Sequence, residues 1–217
     1  MPRERQEIFR DSNTDEKEKV IVLAFEGNDT ERIYFEDIRS YDKFNNELVY
    51  LHLLSRPKKD TNSAPIHVFN KLKREAKEEY NFNKADELWM IIDKDRWKNI
   101  PTIIELCKKQ GNMFVAGSNP CFEFWLLLHV KNISDITLEE TDLLLENGKK
   151  SNRKRYIDTY LGSILDDGYN KTNPKPERFF PHIKLAIKQG KELNSTNEDF
   201  PTNLGSHVYK IVERLIK

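Results

Sequence analysis

Short, uninterrupted apolar runs alternate along this chain with stretches where apolar residues recur every three or four positions. Val20–Phe25 (VIVLAF) is apolar throughout, β-branched at its start and closed by Glu26-Gly27, the pattern of a strand covered on both faces. Glu47–Leu54 (ELVYLHLL) and Leu88–Ile92 (LWMII) read as further strands, and Met113–Ala116 as a fourth, shorter one. After the first run, Asn28-Asp29-Thr30-Glu31 supplies capping side chains and first-turn acids, and Tyr34, Ile38 and Tyr41 follow on one helical face. Arg56–Pro65 reads as a polar loop, Ile66–Tyr80 as a helix, and Pro101–Gln110 as a short helix stopped by Gly111. Ser118-Asn119-Pro120 places an Asn cap and a proline at the first helical position ahead of the apolar Cys121–Val130. Strand and helix in strict alternation predict an α/β protein, with a central parallel sheet of about four strands flanked by helices. In such sheets ligands sit outside the carboxyl ends of the strands.

The pattern changes after Val130. Ile136–Glu146, Phe179–Leu193 and Ser206–Ile216 have helical spacing, whereas Asp166–Arg178 is rich in Pro, Gly and Asn and reads as a loop. The expected organisation is a polar arm (1–18), an α/β core (19–130) and a mainly helical C-terminal extension (131–217).

Composition narrows the class. The 217 residues carry 36 Lys/Arg and 36 Asp/Glu, so no polybasic tail dominates. The balance hides an asymmetry: from Gly148 onward there are 14 Lys/Arg against 8 Asp/Glu, a net of +6, which leaves −6 for residues 1–147. An acidic front and a basic back suit a metal-using enzyme acting on a polyanion, as well as ordinary surface charge. No apolar run approaches the length of a membrane span, and residues 1–19 lack an apolar signal-peptide core. Cys107 and Cys121 are too few for a zinc site or a disulfide framework. These features lead us to expect a cytoplasmic protein.

Three acids fall where the sheet rule places ligands. Glu26 follows the first strand, and Asp93 and Asp95 follow the third. Carboxylate oxygens are the donors a hard cation such as Mg²⁺ or Mn²⁺ takes, with waters and phosphate completing its shell. Glu123 lies early in the helix after the fourth strand, either as a favourable first-turn acid or as a further site acid. Ser118 and Asn119, at that helix start, are candidates for binding phosphate or for simple capping.

VIVLAFEGNDTE, LWMIIDKDRW and GSNPCFEFWLLLH together resemble the RloB-like family, whose core is similar to the Toprim fold. Toprim domains occur in topoisomerases, primases and overcoming-lysogenization-defect nucleases. Their pattern is one Glu after the first strand and Asp-x-Asp after a later one, here Glu26 with Asp93 and Asp95. The resemblance is clear over about residues 18–130 and weaker beyond. It implies a Mg²⁺-dependent nuclease-like site and a setting in bacterial phage defence, often beside an ATPase partner.

The basic candidates lie in the back half. Lys149, Lys150, Arg153, Lys154 and Arg155 form the densest positive cluster, able to contact phosphates or simply to be a solvated run. Lys171 is a candidate to stabilise charge on a transferring phosphoryl group, and Tyr169 to stack on a base. His129, Trp89 and Trp125 read as core residues. Two functions follow. One is metal-dependent hydrolysis of nucleic acid; the resemblance, by analogy with abortive infection, implies RNA such as tRNA slightly ahead of DNA. The other is a non-cleaving nucleic-acid- or nucleotide-binding sensor working with an ATPase. A phosphoryl-accepting receiver domain fits less well, because receivers pair their acids after the first strand.

Overall fold

A computed structural model of the chain describes residues 19–27, 29–54, 64–79, 85–94, 97–152 and 154–217, with the side chains of 75–79 excepted. The expected arm, most of the 56–65 loop, Asp95 and Arg153 lie outside the described residues. The elements run β1 (Lys19–Phe25), α1 (Thr30–Asp37), β2 (Val49–Leu53), α2 (Pro65–Glu79), β3 (Glu87–Asp93), α3 (Ile100–Lys108), β4 (Met113–Asn119) and α4 (Glu123–Val130). There follow α5 (Leu138–Glu146), α6 (Tyr156–Ile164), α7 (Ile183–Leu193), β5 (Gly205–Ser206) and α8 (Val208–Leu215). The sheet order is β2-β1-β3-β4-β5, with β1 to β4 parallel and β5 antiparallel to β4.

The continuous apolar runs are explained by a sheet buried on both sides. Ile21, Leu23 and Phe25 of β1, with Trp89 and Ile91 of β3, face one core. Val20, Val22 and Ala24, with Leu88, Met90 and Ile92, face the other. The second core is closed by α2 through Val68, Phe69 and Leu72, and by α3 through Ile100, Ile103, Ile104 and Cys107. The first core takes α1, α4 and the C-terminal helices, from Leu144 through Ile157 and Leu161 to Val212 and Leu215. Residues 131–217 are therefore part of the same core that covers β1 and β3. α4 is buried from Glu123 to His129 because it lies inside this helical layer, against α6 and α7.

The structure departs from the sequence expectation at β4, at the starts of α4, α7 and α8, and at α6, which lies where no helix is expected. β4 continues through Ser118 and Asn119, because the two-residue β5 pairs with them and their side chains find partners. The Ser118 and Ser206 hydroxyls are 2.8 Å apart. Asn119 is therefore the end of a strand and not a helix cap; its peptide bond to Pro120 is cis and α4 begins at Glu123. The expected Phe179–Leu193 helix is α-helical only from Ile183, after 3-10 turns at Pro176–Arg178 and Phe180–His182. No helix among the described residues is long and apolar enough to cross a membrane.

His129 is a buried core residue, as expected. Its Nδ1–H donates to the Trp125 carbonyl (2.9 Å), which leaves Nε2 to accept from the Tyr34 hydroxyl (3.3 Å). Burial pushes its pKa from 6.5 down to about 3, and burial with Lys210 nearby pushes His207 down to about 4. Both folded-state values lie below the unfolded one. Each ring therefore contributes stability that is full above pH 6.5 and is lost as the pH falls towards the folded value, at roughly 1.4 kcal/mol per pH unit. Raised carboxyl groups elsewhere work in the opposite direction, so the histidine effect is read by difference. Between pH 7.5 and pH 5 the urea midpoint of the wild type will fall further than that of His129→Gln; equal shifts would refute this assignment.

Candidate functional site

Successive connections leave β1 in opposite directions. The chain goes from β1 to β2 on one side, then returns to place β3 and β4 on the other. The carboxyl ends of β1 and β3 thus flank a topological switch point, where open α/β sheets bind ligands. Glu26 and Asp93 stand there. The Glu26 backbone N–H donates to the Ile91 carbonyl at 3.0 Å, which carries the β1–β3 pairing to the edge. Glu26 Oε2 accepts the Asp93 backbone N–H (3.1 Å), and Oε1 accepts the Trp97 indole N–H (2.7 Å). Asp93 Oδ1 accepts the Phe122 N–H at 2.9 Å, in the turn entering α4.

Two helices begin at the same edge, each with an acid in its first turn. Glu31 of α1 and Glu123 of α4 are both buried. Gly27 makes room for the Glu31 carboxylate, since a Cβ at that position would collide with it. Glu123 is the better satisfied. Its Oε1 lies 3.2 Å from the Tyr169 hydroxyl, 3.3 Å from Thr30 Oγ1 and 3.3 Å from Lys171 Nζ. Lys171 is held on its other side by Asp158 Oδ1 at 3.2 Å, and its carbonyl lies 3.1 Å from Thr30 Oγ1. Asp158 is itself fixed by its place in the first turn of α6, where Oδ2 accepts the Arg155 N–H at 2.7 Å.

Burial and mutual repulsion set the charge states. Burial, followed by the Glu123 charge and more weakly by Glu26, pushes Glu31 up to about 7 against the pull of Lys171. Burial together with Glu31, Glu123 and Glu26 raises Asp93 well above the usual carboxylate range. Burial alone would raise Glu123 as well, but Lys171, the Cys121 thiol and its own backbone N–H hold it low. Lys171 is the counterpart: burial works against its charge, yet Glu123 and Asp158 raise its pKa. Cys121 is pushed well above its ordinary value by burial and by the charges of Glu123 and Asp93, so its thiol keeps its proton.

The structure brings together Glu26, Asp93, Glu123 and Lys171 from the expected set. Three other expectations are corrected. Ser118 is fully buried and its hydroxyl is taken by Ser206, so it does not meet phosphate. The Asn119 amide is spent on the carbonyls of Thr202 and Asn203 (3.0 and 2.8 Å). Tyr169 is buried with its hydroxyl on Glu123, which leaves no ring face for a base. Lys149, Lys150, Lys154 and Arg155 form a separate surface. Glu31, Thr30, Trp97 and Asp158 belong to the cluster but do not stand out in the sequence. Glu31 is visible only as a first-turn acid, and Asp158 only by its three-residue spacing from Arg155.

The donor set fits a hard divalent cation: it is made of carboxylates, they crowd one another, and a positive charge would relieve that crowding. The described acids do not form a preformed cage. Among the described residues, no group of three or more His, Cys, Asp or Glu is placed to hold a metal ion. Mg²⁺ needs no such cage, because it commonly binds through one or two carboxylates plus waters and substrate phosphate.

Fold and site together define an α/β protein with an acidic cluster and one bound lysine at the switch point of a mostly parallel sheet. The sequence model described as "RloB-like protein" matches residues 21–215, and the chain belongs to the RloB-like family. Comparison with curated proteins finds no match, and neither does comparison with solved structures.

Proposed function

We propose that the protein is a metal-dependent nuclease that hydrolyses phosphodiester bonds in nucleic acid. The observation that carries this reading is the gathering of Glu26, Glu31, Asp93 and Glu123 at the β1/β3 switch point with Lys171 among them. Glu26 and Asp93, with Asp95 beside them in sequence, are the residues that would hold Mg²⁺ or Mn²⁺. Bound there, the cation would polarise a phosphoryl oxygen and make a water more acidic. Lys171 offers positive charge for a phosphate, with its ammonium fixed by Glu123 and Asp158 and its side chain still 37% exposed. Glu31, at about 7, can accept a proton on its carboxylate at neutral pH. The resemblance to the RloB-like family adds the expectations of an ATPase partner and a role as a toxic effector in phage defence, and the analogy with abortive infection adds that of an RNA target such as tRNA.

The test is cleavage of tRNA and of single-stranded DNA by purified protein in Mg²⁺, Mn²⁺ or EDTA. Wild type is expected to cut in the divalent ions alone, and an Asp93→Ala, Asp95→Ala double variant to be inert. Equal products from both would refute the assignment. The second reading, a nucleic-acid- or nucleotide-binding sensor without turnover, draws on the ion pairs of Lys171 with Glu123 (3.3 Å) and Asp158 (3.2 Å), which engage its ammonium within the cluster. Retained binding with no cleavage under any metal would favour it.

A further inference from the structure

Outside the acidic cluster, one surface combines positive charge with half-exposed aromatic rings. Lys149 and Arg155 pair as an antiparallel bridge, and the backbone N–H groups of Lys150 and Ser151 both donate to the Lys154 carbonyl (2.9 and 3.1 Å). The described residues on either side of Arg153 thus form a tight basic hairpin stem with Lys150, Lys154 and Arg155 exposed. It leads straight into α6, whose first residue, Tyr156, stacks on Tyr160 with centroids 5.8 Å apart and planes at 23°. Tyr160 is anchored through its hydroxyl to Glu140 at 2.7 Å, so the pair is held from behind. The Lys150 ammonium lies over the Tyr156 ring, 5.2 Å from its centroid. The same turn reaches the acidic cluster, because Arg155 N–H donates to Asp158 and Asp158 meets Lys171.

We propose that this hairpin and Tyr156 dock a single-stranded nucleic acid and lead it towards Lys171, an inference that rests on the nucleic-acid reading above. Lysine and arginine on the hairpin meet the phosphates. The tyrosine ring selects for single strands, since only an unpaired base offers a free face for stacking. A base that stacks on Tyr156 displaces the Lys150 ammonium from over the ring and leaves it free for that nucleotide's phosphate. Glu140 holds the Tyr160 hydroxyl, and burial raises the Tyr156 pKa, with the charges of the nearby Glu140 and Glu139 adding to it. Their charge repels the backbone from α5 and leaves the hairpin side as its path.

Fluorescence anisotropy in EDTA tests this without any cleavage. The probes are labelled oligouridylate and oligothymidylate of about 12 nucleotides, and a duplex of equal length. A Lys150→Glu, Lys154→Glu variant is expected to bind about tenfold or more weakly and to lower the salt slope by roughly 1.4, about 0.7 per lost single-strand phosphate contact. Tyr156→Leu should weaken the single strands about tenfold and leave the duplex unchanged, with Tyr156→Phe close to wild type. Affinities unchanged in the hairpin variants, an equal loss on duplex and single strand with Tyr156→Leu, or a wild type that binds none of the probes would overturn the inference. Hairpin-dependent binding without turnover in any divalent ion would sink the hydrolytic reading and leave this one standing. Cleavage that survives the hairpin variants unchanged would do the reverse. Comparing the uridylate and thymidylate arms separates RNA from DNA.

Discussion

Asp93→Asn will melt at a higher temperature than the wild type in EDTA at pH 7.5, and on the proposed hydrolytic reading it will lose about two to three orders of magnitude of divalent-dependent cleavage. The gain follows from crowding. Asp93 is raised by burial and by the charges of Glu31, Glu123 and Glu26. A carboxyl raised above its unfolded value costs stability once the pH exceeds that unfolded value, so an uncharged isostere removes the cost at neutral pH. The hydrogen bond from Phe122 N–H survives, because the asparagine carbonyl can accept it. A gain of about 1–2 kcal/mol is in the range seen when a strained functional group is neutralised. Adding Mg²⁺ should then raise the melting temperature of the wild type by mass action and leave the variant unmoved. Calorimetric scans with and without Mg²⁺ check both statements. A variant less stable than wild type in EDTA, or one that Mg²⁺ stabilises equally, would remove Asp93 from the cation site.

The strands of the sheet were legible because burial on both faces writes itself locally, as uninterrupted runs such as VIVLAF and LWMII. Glu26 and Asp93 were legible for a related reason: an acid directly after a buried strand falls at the edge where ligands bind. What failed was whatever depended on a distant partner. Ser118-Asn119-Pro120 has the local signature of a helix start, yet Ser206 and Gly205, almost ninety residues away, turn Ser118 and Asn119 into strand. Tyr169 is an aromatic in a polar loop, and only the position of Glu123 shows that its hydroxyl points inward. Glu31 and Asp158 are ordinary first-turn acids until α1 and α6 are laid against the same edge. Spacing within a helix carries no information about which helix will face it. The fold was therefore more legible than the candidate site, since that site is assembled from five separate elements and two loops.

Replacing Lys171 by methionine will have the largest effect on stability of any substitution in the cluster, and the effect will grow with pH. Lys171 is the counter-charge shared by Glu123 and Asp158, which are 3% and 2% exposed. Removing one partner of a buried ion pair costs about 3–5 kcal/mol, because the remaining charge is left in a poor solvent. The lysine side chain is 37% exposed, so water screens part of the interaction and about 2–3 kcal/mol is the better expectation. In the wild type, Glu123 is held below its ordinary value and contributes stability above its unfolded pKa. Without Lys171, burial and the neighbouring Glu31 push it the other way, so the variant is penalised as the pH rises and recovers when Glu123 takes a proton. Urea midpoints will therefore lie close together at pH 4.5 and far apart at pH 8. Adding Glu123→Gln to Lys171→Met should restore much of the loss at pH 8, the non-additivity expected when two residues owe their charges to each other. A pH-independent cost, or additive behaviour of the two substitutions, would mean that Lys171 acts by packing and not as the counter-ion of the acidic cluster.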